Sequence, residues 1–254
     1  MLIYIIMSKS KTPISGTIDE NAAISILNVY TENVKSPDGK TYHEYIEQSP
    51  VEIKTAFDSI KMGYILKKMS HFYPRCIIES IDGMNEIYIT AIGSVGSDRV
   101  FETEHLDGPF FFLPFCTVLR CVFALRGNKS IITKFPEANM QVVLHTNKFV
   151  AFDYNRDAHF IWKDPNIHDN GKRILLKLHY LVVPRYMPRP IVNLYKNVHT
   201  RYNQFMRRLF LECQKETILA SVVNNGTKVY CLLYKKITLF TIAAAGLLLF
   251  MICK

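Results

Sequence analysis

The spacing of apolar positions changes along this chain, and each change marks an element. From Ser49-Pro50-Val51-Glu52 onward, Ile53, Phe57, Ile60 and Tyr64 recur at three- and four-residue steps, which predicts an amphipathic helix running to about Met69. Ser49 and Glu52 have capping-box spacing, with proline at a favoured first helical position, and Thr17 with Glu20 repeats that spacing upstream. Residues 1–72 are therefore expected to be a helical region packing on the core. Between 73 and 186 the period shortens to that of strands: "RCIIESI", "NEIYITAIG", "TVLRCVFAL", "MQVVLHT", "KFVAFDY" and "RILLKLHYLVV" are short β-branched or aromatic runs. Turn signals at Asp82-Gly83, Gly108-Pro109, Gly127-Asn128, Thr146-Asn147 and Asn170-Gly171 separate them. Many short strands of this kind predict a β-sandwich or barrel, so the fold class is mainly β with flanking helices. Ile191, Leu194, Val198, Tyr202, Phe205 and Leu209 then return to helical spacing, predicting an amphipathic helix over 187–220 that packs back on the β core, followed by a linker at 221–236.

The last segment differs in kind. "ITLFTIAAAGLLLFMIC", residues 237–253, is 17 residues without a charge, about 26 Å as a helix at ~1.5 Å per residue and just enough to span a bilayer. Lys235-Lys236 precede it and Lys254 follows, an excess of positive charge that orients the bulk of the protein to the cytosol as a single-pass tail anchor in a host or virion membrane. The bland alternative is a buried core helix. The opening "MLIYIIM" lacks the length and flanks of a signal peptide.

Composition narrows the function classes. A 49% hydrophobic, 21% charged chain of 254 residues is globular. Its net charge of +9 is scattered rather than gathered, and with neither a zinc-finger spacing nor an RNA-binding signature no nucleic-acid partner is expected. Six cysteines without a CxxC pair read as free thiols in a reducing compartment.

The chemistry concentrates in "TEHLDGPF", residues 103–110. In a strand, His105 and Asp107 point to one face and Leu106 to the other, so two ligand types aim at one space. A non-haem Fe(II) site needs one more histidine and open positions, and His159 in "FDYNRDAHFIW" is the candidate. Arg173 then opens the next long strand, where a guanidinium can grip a carboxylate bidentately. Lys177 and His179 follow at even offsets; the first is a second anion contact or a solvated strand end, the second a site-lining or hydrogen-bonded core histidine.

The order His-x-Asp, distal His and strand-opening Arg resembles the Fe(II)/2-oxoglutarate-dependent oxygenases, whose fold is a double-stranded β-helix of the jelly-roll or cupin-like type. The likeness is strongest to the aspartyl/asparaginyl β-hydroxylase branch, carried by Phe152-Asp153, His159, Trp162 and Arg173-Ile174-Leu175, and it covers about 103–184. Two features depart from that branch: it often lacks a carboxylate where Asp107 stands, and its spacing from distal histidine to arginine is shorter. The resemblance implies Fe(II) held by His105, Asp107 and His159, with 2-oxoglutarate and O2 as co-substrates. It also implies Arg173, helped by Arg120 of "TVLRCVFAL", on the distal carboxylate of 2-oxoglutarate, and hydroxylation of a C–H bond in a peptidyl (Asp, Asn or Pro) or lipid substrate.

Two competing readings make different demands. A non-catalytic, tail-anchored scaffold protein, a viral one included, requires that His105, Asp107 and His159 do not meet. A cupin-like Fe or Mn enzyme keeps the metal without 2-oxoglutarate, and for 2-oxoglutarate Arg173 must point into the same cavity as the triad.

Overall fold

The computed structural model describes residues 12–18, 42–90, 104–108, 115–169 and 173–213, with the isolated positions 28, 113, 171, 218, 221, 222, 225 and 226. Ten strands are described: β1 Ile14–Thr17, β2 Tyr42–Tyr45, β3 Cys76–Ser80, β4 Glu86–Thr90, β5 Thr117–Arg126, β6 Ile131–Phe135, β7 Met140–Val143, β8 Lys148–Asp153, β9 Phe160–Lys163 and β10 Arg173–Pro184. They form two antiparallel sheets. The larger runs β1-β8-β5-β10-β4-β2, with β3 also pairing β10, and the smaller runs β7-β6-β9. All six strands predicted between 73 and 186 are present. The shorter β6 and β9 escape the sequence reading because polar residues interrupt one and the histidine motif absorbs the other.

β10 is buried along its whole length because β5 pairs with one edge while β4 and β3 share the other. A strand covered on both faces reads as a near-continuous apolar run, as "RILLKLHYLVV" does. Its alternation sorts two chemistries. Leu176, Leu178, Tyr180 and Val182, with Leu119, Cys121 and Phe123 of β5, pack against a helical layer through Ile53, Phe57, Ile60, Ile65 and Met69. On the other face, Leu175 joins Val150, Phe152 and Ala124 against Phe135 and Val142 of the smaller sheet. The space between the sheets is where polar groups of β10 at the same parity arrive.

The helical layer comprises α1 Val51–Asp58, a π-helical segment Ser59–Ile65 and α2 Leu66–Phe72. The wide turn is fastened from the sheet: the Tyr180 hydroxyl donates to the Lys61 carbonyl at 3.0 Å. Tyr180→Phe is expected to lower stability by about 1–2 kcal/mol, the cost of a buried carbonyl losing a donor, seen as a lower urea midpoint at unchanged slope.

Three expectations are corrected. Residues 1–72 are not helical throughout, because β1 and β2 add strands to both edges of the large sheet; Thr17, expected to cap a helix, ends β1. The capping box at 49–52 is not made: Pro50 is the N-cap without a side-chain bond, and the Ser49 hydroxyl donates to Glu44 Oε1 at 2.8 Å. The C-terminal helix α3 Arg189–Cys213 exists, but it turns a different face inward. Val192, His199, Asn203 and Met206 are buried while Ile191, Leu194 and Phe205 of the predicted stripe are exposed. The end of the barrel beneath α3 offers hydrogen-bonding partners as well as apolar surface, such as the Tyr154 hydroxyl that donates to Asn203 Oδ1 at 2.9 Å, so the most apolar stripe does not win.

No helix among the described residues is long and apolar enough to cross a membrane. The expected span at 237–253 and the N-terminal apolar run lie outside the described residues, as does the expected linker at 221–236 except for Ser221, Val222, Asn225 and Gly226, which are helical.

Candidate metal centre

His105 and Asp107 do not sit in a strand. His105 forms a single antiparallel bridge with His159, immediately before β9, and Asp107 lies in the bend that follows. The bridge is reciprocal: each backbone N–H donates to the other residue's carbonyl at 3.0 Å. Directly opposed residues carry their side chains on the same side, which sets the two imidazole centroids 4.6 Å apart. The chain then crosses to the large sheet, where the Gly108 N–H donates to the Tyr154 carbonyl at 2.9 Å and Asn155 Nδ2 donates to the Gly108 carbonyl at 2.6 Å. Asp107 is thus delivered between the sheets by fastening the residues on both sides of it.

The result is a buried cluster. Asp107 Oδ1 lies 3.8 Å from His105 Nε2, Asp107 Oδ2 lies 3.6 Å from His159 Nε2, and one ligand atom from each of the three residues lies within 4.8 Å of the others. Two ligands at ~2.1 Å from one ion are at most about 4.2 Å apart, so small rotamer changes bring the set onto a single cation. Two imidazoles and one carboxylate, three ligands on one side of an ion, suit a borderline divalent transition metal with open positions.

Protonation agrees with that use. Burial lowers the His159 imidazole to about 4 against the pull of Asp107, leaving it neutral near pH 7. Its Nδ1 donates to the Asp157 carbonyl at 3.1 Å, which fixes the tautomer and turns the Nε2 lone pair toward Asp107. Burial alone would raise the Asp107 carboxyl, but the Arg120 guanidinium, and after it His159 and His105, hold it well below the carboxylate range. It is anionic at all physiological pH.

Asp107 and His159 share one cavity with Arg120, Arg173 and Lys177, its walls also formed by Tyr88, Val122, Val150, Phe152 and Leu175. Arg173 and Lys177 come from β10 at even spacing, as expected, and both are buried. Lys177 is not a solvated strand end: its Nζ is 3.2 Å from Glu86 Oε1 and 4.1 Å from the Tyr88 ring centroid, and burial lowers its ammonium to about 8. Arg120 lies on Asp107, with Nη1 2.7 Å from Oδ2. His179 is a hydrogen-bonded core histidine that accepts from Arg120 Nε at 2.8 Å. Trp162 stands outside the cavity, because β9 points Ile161 inward and turns Trp162 to the outer face beneath Lys134 Nζ, 4.0 Å from its ring centroid. Phe115, a few residues after the Gly108 turn, is exposed.

Asn155, Asp157 and Glu86 belong to the site's support and were not predicted in those roles. The first two lie inside the quoted distal motif, so their proximity to His159 was visible; their partners were not. Asp153 in the same motif has a different effect. Burial pushes its carboxyl up to about 7, with Arg156 opposing and Asp157 reinforcing the shift. The native state therefore holds a proton between ~4 and ~7 that the unfolded chain has released, and stability falls as pH rises through that window. Asp153→Asn, which keeps a carbonyl for the Asn155 N–H, is expected to melt higher than the parent at pH 8 and equally at pH 4 in parallel thermal scans.

No protein-family model matches this chain, and no curated protein sequence matches it. Among solved structures it is similar to the viral collagen prolyl hydroxylase of Paramecium bursaria Chlorella virus-1 in its 2-oxoglutarate complex, at 12% identity over 70% of this chain and 99% of that one, TM-score 0.45. HygX of Streptomyces hygroscopicus, with nickel and 2-oxoglutarate bound, is 10% identical over 73% of this chain and 87% of its own, TM-score 0.45. A prolyl-4-hydroxylase of Pseudomonas putida is 12% identical over 73% and 100%, TM-score 0.40.

Proposed function

We propose that this protein is an Fe(II)- and 2-oxoglutarate-dependent oxygenase that hydroxylates a C–H bond. The observation that carries the reading is the convergence of His105, Asp107 and His159 beside a cavity that Asp107 and His159 line together with Arg173 and Lys177. His105, Asp107 and His159 would hold the iron, and Arg173 with Lys177 would take the distal carboxylate of 2-oxoglutarate. The bound iron and co-substrate supply dioxygen activation coupled to decarboxylation of 2-oxoglutarate to succinate. The chain's own residues do the rest: they present two imidazoles and an ionised carboxylate, orient a dicarboxylate by its charge, and line the cavity with the apolar Val122, Val150, Phe152 and Leu175.

Two observations favour this reading over its competitors: His105 and His159 converge with Asp107, where a scaffold without activity predicted that they do not, and Arg173 lines the same cavity, as binding of 2-oxoglutarate requires. For the substrate we favour a peptidyl side chain, on the sequence resemblance over 103–184, with membrane attachment through 237–253 resting on sequence alone.

The test is purification under argon and assay of iron-dependent conversion of 2-oxoglutarate to succinate. Turnover that requires added Fe(II) supports the reading, and its absence at saturating Fe(II) and 2-oxoglutarate overturns it. Arg173→Ala is expected to raise the KM for 2-oxoglutarate at least tenfold, the consequence of losing a charge-assisted contact of about 1.5–3 kcal/mol, while iron binding is kept.

A further inference from the structure

Arg120 is engaged by two buried groups of the site: its guanidinium Nη1 is 2.7 Å from Asp107 Oδ2, and its Nε donates to His179 Nε2 at 2.8 Å. Its flat face covers the Tyr154 ring, 4.6 Å from the centroid. The geometry follows from the sheet. Arg120 and His179 are direct partners across the β5–β10 ladder, so their side chains leave the same face side by side.

His179 is itself held on both sides of its backbone. Its N–H donates to Asn85 Oδ1 at 2.8 Å, and its carbonyl accepts from the Ile81 N–H at 2.8 Å. The ring is wholly buried. Accepting from an always-charged guanidinium requires an unprotonated Nε2, hence the proton on Nδ1. Burial, and then Arg120, keep the ring well below the ordinary imidazole range, in keeping with that tautomer.

Asp107 is thereby held through one oxygen: Oδ2 carries the Arg120 contact and lies 3.6 Å from His159 Nε2, while Oδ1 lies 3.8 Å from His105 Nε2. We infer that Arg120 is a positioning residue that clamps Asp107 through Oδ2, and that His179 is the acceptor which aims it. This rests on the metal reading of the site. With Arg120 engaged on Asp107 and His179, Arg173 and Lys177 are the cavity's cations for the co-substrate's far end.

The readout is Co(II) binding by the full chain, followed in the visible ligand-field bands without turnover. His179→Gln places a carbonyl acceptor near the position of Nε2 and is expected to keep the parent's band shape and affinity. His179→Leu removes the acceptor and is expected to change the band shape and weaken Co(II) at least about tenfold, the usual scale for loss of a group orienting a metal ligand. Parent-like bands and affinity in His179→Leu would overturn the inference while leaving the metal reading intact. If His179→Leu does not fold, Arg120→Lys decides, since lysine keeps a charge beside Asp107 but cannot bridge Asp107 and His179 together. Altered Co(II) bands support the clamp. Unaltered bands with a raised KM for 2-oxoglutarate return Arg120 to anion binding and overturn it. A parent chain that develops no bands on Co(II) addition removes the metal reading and this inference with it.

Discussion

His159→Ala is expected to reduce iron-dependent succinate formation to background and to weaken divalent-metal binding by about a hundredfold or more, since even groups that only orient a ligand cost 10–100-fold. The reasoning is geometric. His159 supplies one of three ligand atoms within 4.8 Å, its tautomer is set by the Asp157 carbonyl, and a methyl group offers no lone pair. The fold should survive, because the backbone bonds that join residues 105 and 159 do not involve the ring. Far-ultraviolet circular dichroism like the parent's, with metal affinity lost, is the expected pair of results. His71→Ala is the control: His71 is exposed on α2 and should retain both binding and turnover. Equal turnover in the two variants would refute the assignment of the ligands.

Gly108→Ala is expected to be the most damaging small substitution near the site. A methyl group there would lie 2.1 Å from Tyr154 Cε1 and 2.7 Å from Asn155 Nδ2. Tyr154 cannot retreat: its hydroxyl is bonded to Asn203 and its ring lies under Arg120. Overpacking of this kind costs about 1–3 kcal/mol, or more where neighbours are fixed. The strain falls on the two bonds that deliver Asp107, the Gly108 N–H to Tyr154 and the Asn155 amide to the Gly108 carbonyl. Loss of Co(II) binding together with a lowered thermal midpoint is expected. A variant with both unchanged would mean that Asp107 is placed by something other than this contact.

Local pattern carried much of the fold. The six predicted strands, the helix at 51–72 and the helix from Arg189 were legible because each buries a face with its own period, and period is written in consecutive residues. Errors fell where a partner elsewhere in the chain decides. "ISGT" and "YHEY" are strands because β8 and β4 offer them free edges. Ser49 is drawn to Glu44 instead of to the helix N-terminus, and α3 rolls its most apolar stripe outward to put Asn203 within reach of Tyr154.

The site divides in the same way. Residue types, their order and the even spacing from Arg173 to His179 named a metal-and-anion chemistry before any coordinates, because ligand identity and strand parity are local properties. Sequence alone could not say that His105 and His159 meet as one bridged pair, that Gly108 and Asn155 fasten Asp107 between the sheets, or that Arg120 reaches Asp107 and His179 together. Those are matters of register and burial. A guanidinium goes to the buried anion and the buried acceptor within its reach, and which of these lie within reach is set only when the two sheets close on each other.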